Sequence, residues 1–134
     1  MNIAFFLLPK DDVICLTETS TMRQALERME YHRFTAVPII DKSGKYLATL
    51  TEGDLLWKLK STPHLNFDNC HRVLIEEIPK RMNVEPIRIY AQVEDLFTKA
   101  IHQNFVPVID DQDIFIGIIR RSDIINHLLK KTVK

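Results

Sequence analysis

Apolar side chains alternate between two kinds of spacing along this chain, and the order of the alternation occurs twice. Val13 to Leu16 is a short apolar run of the strand type. Met22, Ala25, Leu26 and Met29 then recur at helical spacing, and Thr21 with Gln24 has the spacing of a capping box at the helix start. Ala36 to Asp41 reads as a buried strand, Lys42 to Lys45 as turn chemistry, and Tyr46 to Leu50 as the returning strand of a hairpin. A second helix carries Leu55, Leu56 and Leu59 on one side. The second half follows suit. Pro86 to Ile89 predicts a strand, and Val93, Leu96, Phe97, Ala100 and Ile101 predict a helix. Phe105 to Ile109 and Ile114 to Ile119 flank the turn Asp110 to Asp113, and Ile124, Ile125, Leu128 and Leu129 mark a last helix.

The repetition extends to single residues. Val37-Pro38-Ile39-Ile40-Asp41 returns as Val106-Pro107-Val108-Ile109-Asp110, 69 residues on (106 − 37), and the same shift carries Ala48 to Gly117 and Asp54 to Asp123. One supersecondary unit is therefore built twice, which fixes the architecture before any single motif is read. The predicted fold class is α+β: two β-α-β-β-α repeats, with residues 1–60 as the first repeat and its N-terminal arm, 61–85 as a linker with a short helix, and 86–134 as the second repeat. The copies differ in one place. Met29 to Val37 covers eight positions and its counterpart Ala100 to Val106 covers six, so the second half lacks two residues where helix meets strand.

Charge narrows the function classes. Eighteen basic and eighteen acidic side chains cancel among 134 residues, which removes the footprint expected of a nucleic-acid or membrane-surface binder. Lys130, Lys131 and Lys134 read as a helix end matched to the macrodipole, with a terminal tail. The run Ile3 to Leu8 lacks a preceding basic region and stops at Pro9, so it predicts an edge strand or packed arm, not a signal sequence or membrane span. Cys15 and Cys70 form no CxxC and no disulfide framework, which predicts free thiols and a cytoplasmic protein. His64, Cys70 and His71 in the linker match no zinc spacing, so no metal is expected. The three glycines, Gly44, Gly53 and Gly117, exclude a P-loop or dinucleotide fingerprint, and no nucleophile-base constellation is evident. Non-enzymatic function is expected, with no catalytic cofactor.

The doubled strand-helix-strand-strand-helix order, with the segments Phe34-Thr35-Ala36-Val37-Pro38 and Thr49-Leu50-Thr51-Glu52-Gly53-Asp54-Leu55, resembles the CBS domain, the cystathionine β-synthase type module that occurs in tandem pairs. The resemblance covers residues 10 to 130 or so and implies a pseudo-twofold disc with two clefts that hold adenosine-containing ligands. Carried over residue by residue, the preferred cleft is lined by Ile14, Cys15, Phe34, Thr35, Ala36 and Pro38 and closed by Arg120, Arg121, Ser122 and Asp123. The second is lined by Arg88, Ile89, Asn104 and Phe105 and closed by Thr51, Gly53 and Asp54. A carboxylate at a helix start can accept from both ribose hydroxyls, and the free N–H groups there favour an anion.

The family pattern has a hydroxyl where this chain has Arg120; that guanidinium, beside Arg121, suits phosphate oxygens. With the shortened wall of the second half, this favours the Arg120 cleft. The resemblance implies a regulatory sensor of AMP, ATP or cyclic di-AMP that acts on an unidentified partner protein. It also implies a homodimer, covering apolar helix faces around Leu55, Leu56, Ile124 and Ile125. The alternative is a purely structural dimerisation module, with Trp57 and Phe67 as contacts.

Overall fold

The computed structural model describes residues 1–132; Lys134 of the basic cluster lies outside the described residues. The chain divides into two compact units, one of 15–43 and 47–83, the other of 1–14, 44–46 and 84 onward.

In the first unit, β2 (Leu16–Thr17) pairs in parallel with β3 (Ala36–Ile40), and β4 (Tyr46–Thr51) completes a three-stranded sheet in the order β2-β3-β4. Helix α1 (Met22–His32) begins at the expected capping box: Gln24 N–H donates to Thr21 Oγ1 at 3.1 Å and Thr21 N–H to Gln24 Oε1 at 2.9 Å. It ends at Arg33, whose φ of 58° is left-handed. Its core side chains Met22, Ala25 and Met29 meet Leu16, Val37, Ile39, Leu50 and, from α2 (Glu52–Ser61), Leu55. The short helix expected around Val73 to Ile78 is two 3₁₀ turns, Cys70–Arg72 and Ile75–Glu77. They are pinned to the start of α1 by Met22 N–H to the Val73 carbonyl and Ile75 N–H to the Ser20 carbonyl. Cys70, Ile75 and Ile78 thereby complete the core.

The second unit holds β5 (Ile87–Arg88), α3 (Val93–His102), β6 (Phe105–Ile109), β7 (Phe115–Arg120) and α4 (Arg121–Thr132). The apolar run at the N-terminus joins it. A 3₁₀ turn over Ile3–Phe6 buries Ile3 and Phe6, and β1 (Leu8–Pro9) then adds to the free side of β7, giving the order β1-β7-β6-β5. Leu8 stands opposite Ile118 and Pro9 opposite Gly117. This closeness explains the glycine. A Cβ on Gly117 would sit 2.2 Å from the Leu8 carbonyl oxygen and 2.9 Å from Leu7 Cδ1. In the first unit β4 is the last strand of its sheet, and the equivalent position carries Ala48.

The repeated aspartates have a local task. Asp41 Oδ1 accepts from the N–H and hydroxyl of Ser43 (2.9 and 2.8 Å), and Asp110 Oδ1 accepts from Gln112 and Ile114 N–H (2.8 and 2.9 Å). Each closes a side-chain turn between two strands. The turn position needing positive φ is Gly44 in one copy and Asp113 in the other. The apolar helix faces differ from expectation at two positions. Leu55 and Ile124 face their own cores, and the exposed residues are Leu56 and Trp57 on α2 and Ile125, Leu128 and Leu129 on α4. Among the described residues no helix is long and apolar enough to cross a membrane.

Candidate functional site

The turn from β7 into α4 gathers the charged residues singled out by the sequence. Arg120 ends the strand opposite Phe105, and Arg121 N–H donates to the Asn104 carbonyl at 2.9 Å. One helical turn on, the Asp123 carboxylate faces back. Arg120 Nε donates to its Oδ2 at 2.8 Å and Nη2 to its Oδ1 at 3.3 Å, so one guanidinium covers both oxygens. The two side chains are 50% and 33% exposed, which limits the pair to about 0–1 kcal/mol of stability. Arg121 is anchored differently: its Nε donates to the Gln103 carbonyl at 3.1 Å. Gln103 is buried, accepts from Glu85 N–H, and donates to the carbonyls of Glu85 and Phe105. Ser122 is exposed on the first turn of α4.

Beside this turn lies an open cavity of ≈ 400 Å³, lined by Phe5, Phe6, Leu7, Leu8, Arg120, Asp123, Asn126, His127 and Lys130. Its apolar wall is the N-terminal segment. Phe6 goes into the core, which leaves the neighbouring Phe5 ring 66% exposed at the rim. Phe5 meets Phe6 edge-on at 5.2 Å and His127 at 4.9 Å, so its place against α4 is fixed by aromatic contacts. Sequence reasoning missed this wall. It also missed Asn126, His127 and Lys130, although with Asp123 they fall at i, i+3, i+4 and i+7, a legible stripe on one helix face.

The equivalent turn of the first unit has different chemistry. Thr51 Oγ1 accepts from Asp54 N–H at 3.2 Å, and Asp54 Oδ2 accepts from Thr51 N–H at 2.9 Å, a second capping box. The remaining oxygen, Oδ1, accepts from Arg81 N–H at 3.0 Å. Asp54 is 2% exposed, so both its oxygens are committed to backbone donors inside the unit. The carbonyl of Thr35 accepts from Glu52 N–H at 3.0 Å. A cavity of ≈ 390 Å³ here is lined by Leu26, Met29, Glu30, Arg33, Phe34, Thr35, Glu52 and Leu55. Two glutamates face one arginine in it, whereas Arg120 and Lys130 face one aspartate in the other. An anion favours the second unit on charge alone.

The other candidates come from both units. Cys15, Phe34, Thr35, Ala36 and Pro38 belong to the first, and Ile14, Arg88, Ile89, Asn104 and Phe105 to the second. Arg28 donates to the Cys15 carbonyl at 3.2 Å, Phe34 stacks on His32 at 5.2 Å, and Pro38 is buried in β3. Gly53, on the first turn of α2, has ordinary space for a side chain. Arg88 is committed to the β6–β7 turn: it donates to the Asp110 carbonyl at 2.9 Å and to Asp113 Oδ1 at 2.6 Å, and that bond to Asp113 raises its pKa further. Ile89 N–H donates to the Ile109 carbonyl. In the linker, burial pushes the Cys70 thiol pKa up, and its Sγ donates to the Phe67 carbonyl at 3.1 Å. A thiol held protonated is a poor metal ligand. Phe67 and Trp57 are partly exposed, with Arg23 over the first ring and Lys60 and Arg81 over the second.

Comparison with known proteins gives one consistent result. The CBS domain family matches residues 7–61 and 75–130. Cystathionine beta-synthase of Dictyostelium discoideum is 25% identical over 127 residues, which is 95% of this chain but 25% of that protein. The chain thus spans about a quarter of the length of that curated relative. Among solved structures, CbpB in complex with c-di-AMP is 27% identical with a TM-score of 0.84, covering 97% of this chain and 85% of that one. CbpB from Streptococcus agalactiae is 30% identical with a TM-score of 0.78, covering 93% and 80%.

Proposed function

This chain belongs to the CBS domain family, with two copies of the domain, and from that premise we propose that it is a regulatory module that binds an adenosine-containing nucleotide and signals to a partner protein without catalysing a reaction. AMP, ATP and cyclic di-AMP are the ligands of matching chemistry. The observation that carries this reading is the cavity of the second unit. It combines an exposed aromatic ring, Phe5, an apolar wall, a carboxylate at a helix start, Asp123, and the cations Arg120 and Lys130. A purine has a ring to stack on, the ribose hydroxyls have a paired acceptor, and phosphate has guanidinium and ammonium donors. That a 27% identical neighbour is a c-di-AMP complex supports the ligand class.

The first-unit turn is a weaker proposal of the same kind. Thr51, Gly53 and Asp54 keep the expected residues, but the Asp54 carboxylate already accepts two backbone N–H groups out of solvent. Titration calorimetry with AMP, ATP, cyclic di-AMP, S-adenosylmethionine and NAD, followed by product analysis, tests the reading. At least one of the first three should bind without turnover. No binding by any of the three would overturn it.

A second reading rests on a separate observation. Leu56, Trp57, Ile125, Leu128 and Leu129 are exposed large apolar residues on α2 and α4. They favour self-association into a homodimer, with or without ligand. Sedimentation giving a concentration-independent monomer at micromolar protein would retire it.

A further inference from the structure

We propose that Arg120 is a specificity-determining residue that makes the second-unit site select phosphate-bearing ligands over nucleosides, by exchanging its partner from Asp123 to the ligand. This deepens the nucleotide reading above and rests on it. The starting point is the geometry of the pair. Nε and Nη2 of one guanidinium lie 2.8 and 3.3 Å from the two oxygens of Asp123. A ribose diol needs those same two oxygens. A diol that docks bidentate on the face of Asp123 that Arg120 now holds displaces the guanidinium, and a ligand offering hydroxyls alone then leaves it without a carboxylate. A ligand that also brings a phosphate supplies the displaced, planar guanidinium with a bidentate partner of greater charge.

The neighbours make the exchange local. Arg121 is tethered through Nε to the Gln103 carbonyl, and Gln103 is itself held by Glu85, so Arg121 is a fixed cation and Arg120 the movable one. Lys130 lines the cavity further along the same helix face. The first-unit turn has no such device. Thr51 stands where Arg120 does, and Asp54 is covered by backbone N–H groups of Thr51 and Arg81, which cannot swing aside as a side chain does.

The test is titration of the wild-type chain and Arg120→Ala with adenosine and AMP. The wild type should prefer AMP by at least about tenfold. Arg120→Ala should weaken AMP about tenfold to a hundredfold, the loss of one charge-assisted contact. Adenosine should bind as before or up to about fivefold tighter, because the competing ion pair is gone. The AMP-to-adenosine ratio therefore collapses from the nucleotide side. An equal loss for both ligands, or an unchanged ratio, overturns the exchange while leaving nucleotide binding standing. Failure of the wild type to bind AMP, ATP or cyclic di-AMP overturns both. If Arg120→Ala lowers the melting temperature, Arg120→Lys carries the test. It keeps a charge but cannot cover both carboxylate oxygens, and it should bind adenosine at least as well as the wild type while losing part of the AMP preference.

Discussion

Gly117→Ala is the sharpest test of how the N-terminal segment builds the candidate site. The added methyl would lie 2.2 Å from the Leu8 carbonyl oxygen, a backbone atom, and 2.9 Å from Leu7 Cδ1. Leu7 can give way; the Leu8 carbonyl moves only if β1 moves. Two responses are open. The strands can splay locally, at the roughly 1–3 kcal/mol of an overpacked site. Alternatively the arm can detach, which exposes Ile3 and Phe6, both buried now, at roughly 1.5–3 kcal/mol each.

The smaller cost decides, so destabilisation of about 1–3 kcal/mol is expected. For a domain of this size that is a fall in Tm of about 3–12 °C. Because Phe5 to Leu8 wall the cavity that holds Arg120 and Asp123, nucleotide affinity should drop in the same variant, and chymotryptic nicking at Phe5 should quicken. Ala48→Gly, at the equivalent position of the other repeat, is the control. It should cost about 0.5–1 kcal/mol, the backbone penalty of a strand glycine. A Gly117→Ala protein with unchanged melting and unchanged nicking would refute the argument that β1 packs directly over this residue.

The two aspartates should part company in urea denaturation. Asp54→Ala strips two backbone donors inside the first unit and should cost about 2–4 kcal/mol, whereas Asp123→Ala should cost at most about 1 kcal/mol; equal midpoints would refute the difference. Cys70 should resist alkylation in the native protein and react at the ordinary rate once unfolded, since burial raises its pKa; native labelling at the unfolded rate would contradict this. Glu85 has its pKa depressed by the hydrogen bond and charge of Lys99, 2.7 Å away. A depressed carboxyl contributes stability above its unfolded pKa and loses it as pH falls through the folded one. The urea-midpoint gap between the wild type and Glu85→Gln should therefore be constant at neutral pH and close below about pH 4.5. A gap that persists at pH 2 would show that the ion pair is not its source.

Much of this molecule is legible in its sequence, because the relevant forces act over a few residues. Helical spacing placed the four α-helices of the described residues, and the Thr21–Gln24 spacing predicted a capping box whose two bonds are both made. The doubled Val-Pro motif announced the repeat, since each copy needs a buried strand closed by an Asx turn at Asp41 or Asp110. Three matters were decided only in the tertiary structure. The N-terminal run could be recognised as an edge strand or packed arm, but the pairing of its end with β7 joins residues more than a hundred positions apart, and no local propensity encodes such a partner. The segment around Ile75 could be seen to be apolar, yet its docking on Ser20 and Met22 arises from packing. Asp54 and Asp123 look alike as letters at matching positions. The Arg81 amide, 27 residues downstream, closes over the first, while the second faces a single exposed guanidinium and the N-terminal wall. A carboxylate's chemistry follows from the donors that reach it, and those donors are assembled by the fold.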